Sequence, residues 1–156
     1  MKIRYHALAL CFCILASIPA AVHLCRATLG ESADSVPADR KALAAVRHST
    51  TNHENYSVQE IQSDVNVVRE YISPSGIVFA IAWNGLTRPD LSTLLGSYAP
   101  EYLQALQKSP RKPGRRYSKV RSDRVVVEQW GHMRNLQGRA YVPDLIPPGV
   151  SIDDIK

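Results

Sequence analysis

Residues 65–83 read VNVVREYISPSGIVFAIAW, and this stretch decides how the chain folds. Two runs rich in β-branched and aromatic residues flank the sequence SPSG at positions 73–76, which places proline second and glycine fourth in a turn. The pattern predicts a strand over Val65–Ile72, a tight turn, and a strand over Ile77–Trp83. Both faces of the second strand are apolar, so we expect it to lie at the centre of a sheet.

Three more runs outside this hairpin have the composition of strands. One precedes the hairpin and two follow it: Tyr56–Gln62, Val125–Trp130 and Arg134–Val142. Consecutive strands with short connections pair as antiparallel hairpins. We therefore predict an antiparallel sheet of about five strands.

Two segments carry helical signals. Asp34 or Ser35 would cap an N-terminal helix reaching Arg47, and the polar run over residues 49–55 would end it. Asp90 would cap a second helical segment, in which leucines and tyrosines recur at helical spacing. The predicted fold is thus α+β, with an N-terminal helix and a helical insertion between the third and fourth strands of the sheet.

The first residues have the organisation of an export signal. Lys2 and Arg4 precede the uncharged stretch 7–22, and the small residues Cys25 and Ala27 flank Arg26. We predict a signal peptide over residues 1–27, cleaved after Ala27, and a periplasmic or secreted protein. The alternatives are cleavage after residue 20 or 21, a lipoprotein signal, and a retained anchor, although about 16 uncharged residues fall short of the roughly 20 that span a bilayer.

Cleavage at this position changes the composition of the chain. All three cysteines, Cys11, Cys13 and Cys25, would leave with the signal. A mature chain without cysteine excludes thiol catalysis, cysteine-ligated zinc, thioether-linked haem and internal disulfides. We expect residues 28–156 to form a single α+β domain on an apolar core alone, with no cofactor and no metal.

Positive charge is concentrated in one segment, residues 108–124, which holds eight basic residues and one acid. Prolines and a glycine predict an exposed basic loop. The favoured interpretation is a solvated connector; the alternative is an anion-binding loop for phospholipid head groups, lipopolysaccharide phosphates or another exported protein. The candidate residues for that alternative are Arg111, Lys112, Arg115 and Arg116. Nucleic acid is an unexpected partner, because Tyr117 is the one aromatic residue there that could stack on a base.

A second candidate ligand or partner site lies on the predicted hairpin formed by the last two strands. Cross-strand pairing there could bring together His132, Arg134, Arg139 and Tyr141, which could hold a carboxylate or a sugar. The favoured interpretation is structural: His132 caps the turn, and Arg139 pairs with Glu128.

Two functions of different classes remain open. The favoured one is a non-catalytic binding or envelope-accessory domain, because no nucleophile, base and orienting group occur in a recognisable pattern. The alternative is a small envelope hydrolase or transferase that uses His132 with Arg134, Arg139 or Tyr141. A deep pocket converging on His132, with a perturbed acid nearby, would favour the enzyme.

Three separated runs carry a family resemblance. They are VREYISPSGIVFA at 68–80, PDL with LLGSY at 89–98, and GHMR with GRAYVP and LIPPGV at 131–150. In these runs the chain resembles an exported proteobacterial family catalogued as domain of unknown function 2844. The resemblance implies a periplasmic or secreted location and implies no catalytic residues. The chain departs from the pattern at residues 28–31, where a second glycine is usual, which bears on the cleavage position.

Overall fold

The computed structural model describes residues 28–33, 47–110 and 116–156. Within these residues, seven strands form one antiparallel sheet with the order β1-β2-β3-β4-β7-β6-β5. The strands are β1 (Arg47–Asn52), β2 (Ser57–Gln62), β3 (Asn66–Ile72), β4 (Val78–Gly85), β5 (Tyr117–Arg121), β6 (Val126–His132) and β7 (Asn135–Tyr141). The helices are α1 (Leu91–Leu95) and α2 (Ala99–Lys108), and short 3-10 turns cover Gly96–Tyr98, Pro143–Leu145 and Ile152–Asp154.

Strand β4 lies at the centre of the sheet, as its apolar faces predict. Its first six residues are buried, because β3 and β7 flank it and both of its faces are covered. The turn that precedes it has the expected chemistry. The Gly76 amide donates to the Ser73 carbonyl over 2.9 Å, and the φ of 78° at Gly76 is one that glycine adopts without strain.

The helices cover one face of the sheet, here called the helix face. Leu94, Leu95 and Tyr102 are buried there in the same apolar cluster as Ile81 and Val127. Asp90 caps α1 by accepting a hydrogen bond from the Ser92 amide, as predicted. Hydrogen bonds from Ser92 and Thr93 lower the pKa of Asp90 to about 2. No helix in the described part of the chain is long and apolar enough to cross a membrane.

Residues 143–156, here called the tail segment, cover part of the opposite face, the tail face. Ile155 is completely buried in a cluster that includes Tyr71, Phe79, Val126 and Tyr141. The sheet is therefore covered on both faces, by helices on one and by an irregular segment on the other. This arrangement leaves the hairpin end of β6 and β7 less covered than the centre of the sheet.

The α+β prediction with about five strands is wrong, because the described chain is mostly a seven-stranded sheet with short helices. The two strands that it missed, β1 and β5, are the two edges. The helical segment follows the fourth strand, and not the third. No described helix precedes the sheet; residues 34–46 lie outside the described ranges, as does the predicted signal over 1–27. The polar run that was expected to end the helix lies largely in β1.

Candidate anion-binding site

Two of the hairpin candidates lie at the tip of the β6–β7 hairpin. His132 pairs with Asn135 at the last position of the ladder, and its Nδ1 lies 3.0 Å from the Met133 carbonyl oxygen. Arg134 occupies the turn with a φ of 70°. His132 and Arg134 are both exposed. The prediction that His132 caps this turn is confirmed.

Arg139 lies farther along β7 and belongs to an ion-pair network. Its Nε donates to Glu128 Oε2 over 2.7 Å, so the predicted pairing of these two side chains is confirmed. Glu128 also accepts from Lys119 Nζ over 2.7 Å, and its side chain is 4% exposed. Burial disfavours the carboxylate, but the hydrogen bonds from Lys119 and Arg139 outweigh it and lower the pKa of Glu128.

Tyr141 is buried at the other end of β7. It pairs with Ala80 on β4 and with Val126 on β6, inside the apolar cluster beneath the tail segment. The register places Arg139 four residues beyond the partner of His132, or about 13 Å at about 3.3 Å per residue. The structure therefore brings Arg139 to Glu128 and does not gather the four hairpin candidates into one cluster.

The basic segment, residues 108–124, differs from the predicted loop because it contains β5 and begins in α2. Two of its cations pair with acids that lie outside it: Lys119 with Glu128, and Arg124 with Glu101 over 2.9 Å. The hydrogen bond from the Arg124 amide is the largest influence on Glu101, and the pKa of that carboxyl is lowered.

Three other cations that the structure describes in this segment have no such partner. Lys108, Arg116 and Arg121 are exposed and form no ion pair with any residue that the structure describes. The candidates Arg111, Lys112 and Arg115 lie outside the described ranges. Of the four anion-binding candidates, Arg116 is therefore the one that the structure describes.

Arg116 opens onto a cleft of about 180 Å³, here called the Arg88–Arg116 cleft. Arg88 comes from the connection between β4 and α1, whereas Arg116 immediately precedes β5. Nine residues line the cleft: Trp83, Arg88, Arg116, Ser118, Gln129, Trp130, Gly131, Leu136 and Gln137. Two arginines and no acidic residue are among them, which gives the cleft a positive potential.

Two glycines allow other groups to pack closely against the sheet beside the cleft. Trp83 lies against Gly138, where a Cβ atom would come within 2.3 Å of the indole Cζ2. At Gly131 a Cβ atom would come within 2.0 Å of the Asn135 carbonyl oxygen, and the φ there is 110°. Both positions therefore require glycine, and Trp83 can lie flat on the sheet beside the cleft.

Several hydrogen bonds fix the polar side chains around the cleft. Trp130 Nε1 donates to Gln137 Oε1 over 2.9 Å, and Gln137 Nε2 donates to Asn135 Oδ1 over 2.9 Å. Gln129 Nε2 donates to Tyr102 Oη over 3.2 Å, which links β6 to α2. The Gln129–Tyr102 bond holds one wall of the cleft, whereas the Trp130 ring lies on the same face as Arg139, 5.7 Å from its guanidinium carbon.

Sequence reasoning identified Arg116 but missed the cleft. Its lining comes from four strands and two connections, so no local spacing brings Trp83 and Arg88 together with β5 and β6. The signal that was available is the pair of glycines in the last hairpin, Gly131 and Gly138. A glycine inside a strand often marks the close approach of another group.

The described residues define a class of protein. It has an antiparallel sheet that is covered on both faces, with a positively charged cleft near the β6–β7 hairpin. The sequence model of a family described as "Protein of unknown function (DUF2844)" matches residues 25–155. The chain belongs to this family. The search of curated proteins and the search of solved structures each found no match.

Proposed function

We propose that the protein is an exported, non-catalytic binding domain that attaches to an anionic component of the cell envelope. The observation that carries this proposal is that the described part of the basic segment has exposed cations without an ion-pair partner among the described residues. Lys108, Arg116 and Arg121 are exposed and make no ion pair with a described residue, whereas Lys119 and Arg124 pair with acids. Unpaired surface cations attract an anionic surface over about a Debye length.

Export is supported by the sequence of residues 1–27. A positive start, an uncharged apolar stretch and a small residue at position 27 are the features that a signal peptidase recognises. The absence of cysteine after position 25 is compatible with folding in an oxidising compartment, because no thiol is then available to form wrong disulfides.

The non-catalytic part of the proposal is supported by how the hairpin residues are used. Arg139 stabilises the buried Glu128, and Tyr141 packs in the core beneath the tail segment. His132 lies at an exposed hairpin tip, bonded to the backbone of the turn. These are structural roles. A general base must lie within hydrogen-bond reach of the proton that it removes, and the hairpin residues do not gather around one such point.

The proposal is tested by sedimentation of the purified protein with anionic phosphatidylglycerol vesicles. We expect binding at about 10 mM salt, where the Debye length is about 30 Å, and loss of binding at about 0.5 M salt. A variant with Arg111, Lys112, Arg115 and Arg116 changed to Ser should no longer sediment. Its melting temperature should change little, because exposed charges contribute little to folding.

A matched control removes the same charge from elsewhere in the chain. Changing Arg40, Lys41, Arg134 and Lys156 to Ser also deletes four positive charges, all outside the basic segment. This variant should sediment nearly as well as the unmodified protein. Equal loss in both variants would indicate a dependence on net charge alone, and failure of the unmodified protein to sediment at low salt would refute attachment through this segment.

A further inference from the structure

The Arg88–Arg116 cleft carries an excess of positive charge that the described protein does not neutralise. Both guanidinium groups are exposed, both line the cleft, and neither forms an ion pair with a described residue. Two like charges that line the same cleft repel each other, so neither arginine stabilises the other. A bound anion would reverse this effect, and an arginine fork matches the geometry of a carboxylate or phosphate.

The size and lining of the cleft narrow the class of anion. About 180 Å³ is below the roughly 300–1,000 Å³ of pockets for drug-sized ligands, which limits the occupant to about one ring with its substituent. Trp83 borders the cleft but is only 3% exposed, whereas Ser118 and Gln129 provide hydroxyl and amide groups. Hydroxyl and amide groups beside two arginines suit an acidic sugar ring, which presents several hydroxyl groups.

We infer that the Arg88–Arg116 cleft binds a single sugar ring that bears a carboxylate or a phosphate. The acidic group contacts the guanidinium groups of Arg88 and Arg116, and the ring hydroxyl groups contact Ser118 and Gln129. The inference rests on the proposed function in one respect, because Arg116 belongs to both the cleft and the basic segment. Arg88 belongs to the cleft alone, and Arg121 to the basic segment alone.

The chain provides its own probe of the cleft. It contains two tryptophans, Trp83 and Trp130, and both line the cleft. The Trp130 ring lies beside Arg139, whose guanidinium carbon is 5.7 Å from the ring centroid, so fluorescence is measured in a Trp130→Phe variant, in which Trp83 is the remaining tryptophan. Titration with glucuronate and with glucose 6-phosphate, up to about 10 mM, should give a saturable change in emission. Neutral glucose should give none, because it lacks the charged group, and inorganic phosphate should bind at least about tenfold more weakly because it lacks the ring.

Arg88→Ser is the decisive variant, and Arg121→Ser is its control. Arg88 is exposed, so its loss should leave the melting temperature nearly unchanged while weakening the binding of both acidic sugars by about tenfold or more. Arg121→Ser removes an equally exposed cation of β5 and should leave sugar binding unchanged. Sedimentation with phosphatidylglycerol vesicles should persist in Arg88→Ser, which separates the cleft from the proposed function.

Vesicle-binding measurements distinguish a free sugar acid from a lipid-linked one. If the ligand is the sugar of an envelope glycolipid, vesicles that contain lipopolysaccharide should bind the protein more tightly than phosphatidylglycerol vesicles, and Arg88→Ser should remove the difference. If it is a free sugar acid, both vesicles should bind alike while the fluorescence response to glucuronate is retained. Unchanged emission with both acidic sugars, an equal response to glucose or to phosphate, or equal binding by Arg88→Ser would each overturn the inference.

Discussion

Arg69 on β3 and Arg139 on β7 lie on opposite sides of Ala82 in one row across the sheet, and both donate to the tail segment. Each pairs with Ala82 in the ladder of β4. Arg69 Nη1 donates to the Lys156 carbonyl and Arg139 Nη1 to the Ile155 carbonyl, each over 3.3 Å. The small side chain between the two arginines leaves room for Ile155.

The same row continues outward as ion pairs on both sides. Glu60 on β2 pairs with Arg69 over 2.7 Å, while Glu128 on β6 pairs with Arg139. Each acid holds its arginine by Nε, and the Nη1 atom of the same guanidinium reaches the tail. The row therefore positions the donors that attach residues 143–156 to the sheet.

The first prediction concerns the apolar part of this attachment. Ile155→Ala should lower the free energy of unfolding by about 2–5 kcal/mol, because the side chain is completely buried among Tyr71, Phe79 and Val126. Urea unfolding measures the change. Ile152→Ala is the matched control, since Ile152 is 38% exposed in the same segment. Equal effects of the two substitutions would mean that the tail does not pack on the sheet as described.

The second prediction concerns pH. Because the folded-state pKa of Glu128 is lowered, its ion pairs stabilise the protein above the ordinary pKa of 4.5, and that contribution is lost as the pH falls through the folded-state pKa. Glu128→Gln should cost about 1–3 kcal/mol at pH 7, where the carboxylate is ionised in both states. Near pH 3 the cost should be smaller.

Unfolding by urea at several pH values tests this expectation. Asp64→Asn provides the control, because Asp64 is an exposed acid that makes no ion pair within the described residues. Its effect should be small at every pH. A cost of Glu128→Gln that stays constant from pH 7 to pH 3 would show that the ion pairs with Lys119 and Arg139 do not stabilise the fold.

The interior of the sheet could be predicted from the sequence, and its edges could not. A central strand such as β4 must be apolar on both faces, which the pattern over Ile77–Trp83 reveals. An edge strand pairs on one side and can remain solvated. Accordingly β1, with the sequence RHSTTN, has no apolar residue, and β5 buries Val120 alone. Polar residues in both segments therefore resembled loops.

The candidate site shows the same limit in another form. The pairing of Glu128 with Arg139 was predictable, because it depends on the register of one hairpin. The Arg88–Arg116 cleft depends on how the β4–α1 connection lies beside β5. The two arginines are 28 positions apart in the sequence. Residue spacing holds no information on that contact, which is fixed by the strand order of the sheet.

The third prediction concerns export. Protein recovered from the periplasm or the medium should begin at Thr28, because residues 25–27 have the small residues that a signal peptidase recognises. Intact-mass measurement of the recovered protein identifies the cleavage position. Ala27→Leu should prevent or displace cleavage, whereas Thr28→Ser should leave the position unchanged. Retention of residues 1–27 in the membrane fraction would contradict the predicted signal peptide.

The last prediction concerns the contact between Gly138 and Trp83. Gly138→Ala should lower the free energy of unfolding by about 1–3 kcal/mol, because the new Cβ would come within 2.3 Å of the indole Cζ2 and within 2.7 Å of the Glu128 carbonyl oxygen. The displaced indole should also shift the tryptophan emission to longer wavelength, since Trp83 is 3% exposed in the native protein.

A double-mutant cycle separates the two clashes. Trp83→Phe removes the part of the indole that the new Cβ would strike, at its own cost in core packing. If the indole is the main obstacle, Gly138→Ala should cost less in the Trp83→Phe background than in the unmodified protein, by about 0.5–1.5 kcal/mol of coupling. Additive costs would place the obstacle in the β6 backbone at Glu128. A cost near zero for Gly138→Ala alone would show that Trp83 does not lie on Gly138, and that the cleft wall differs from the one described.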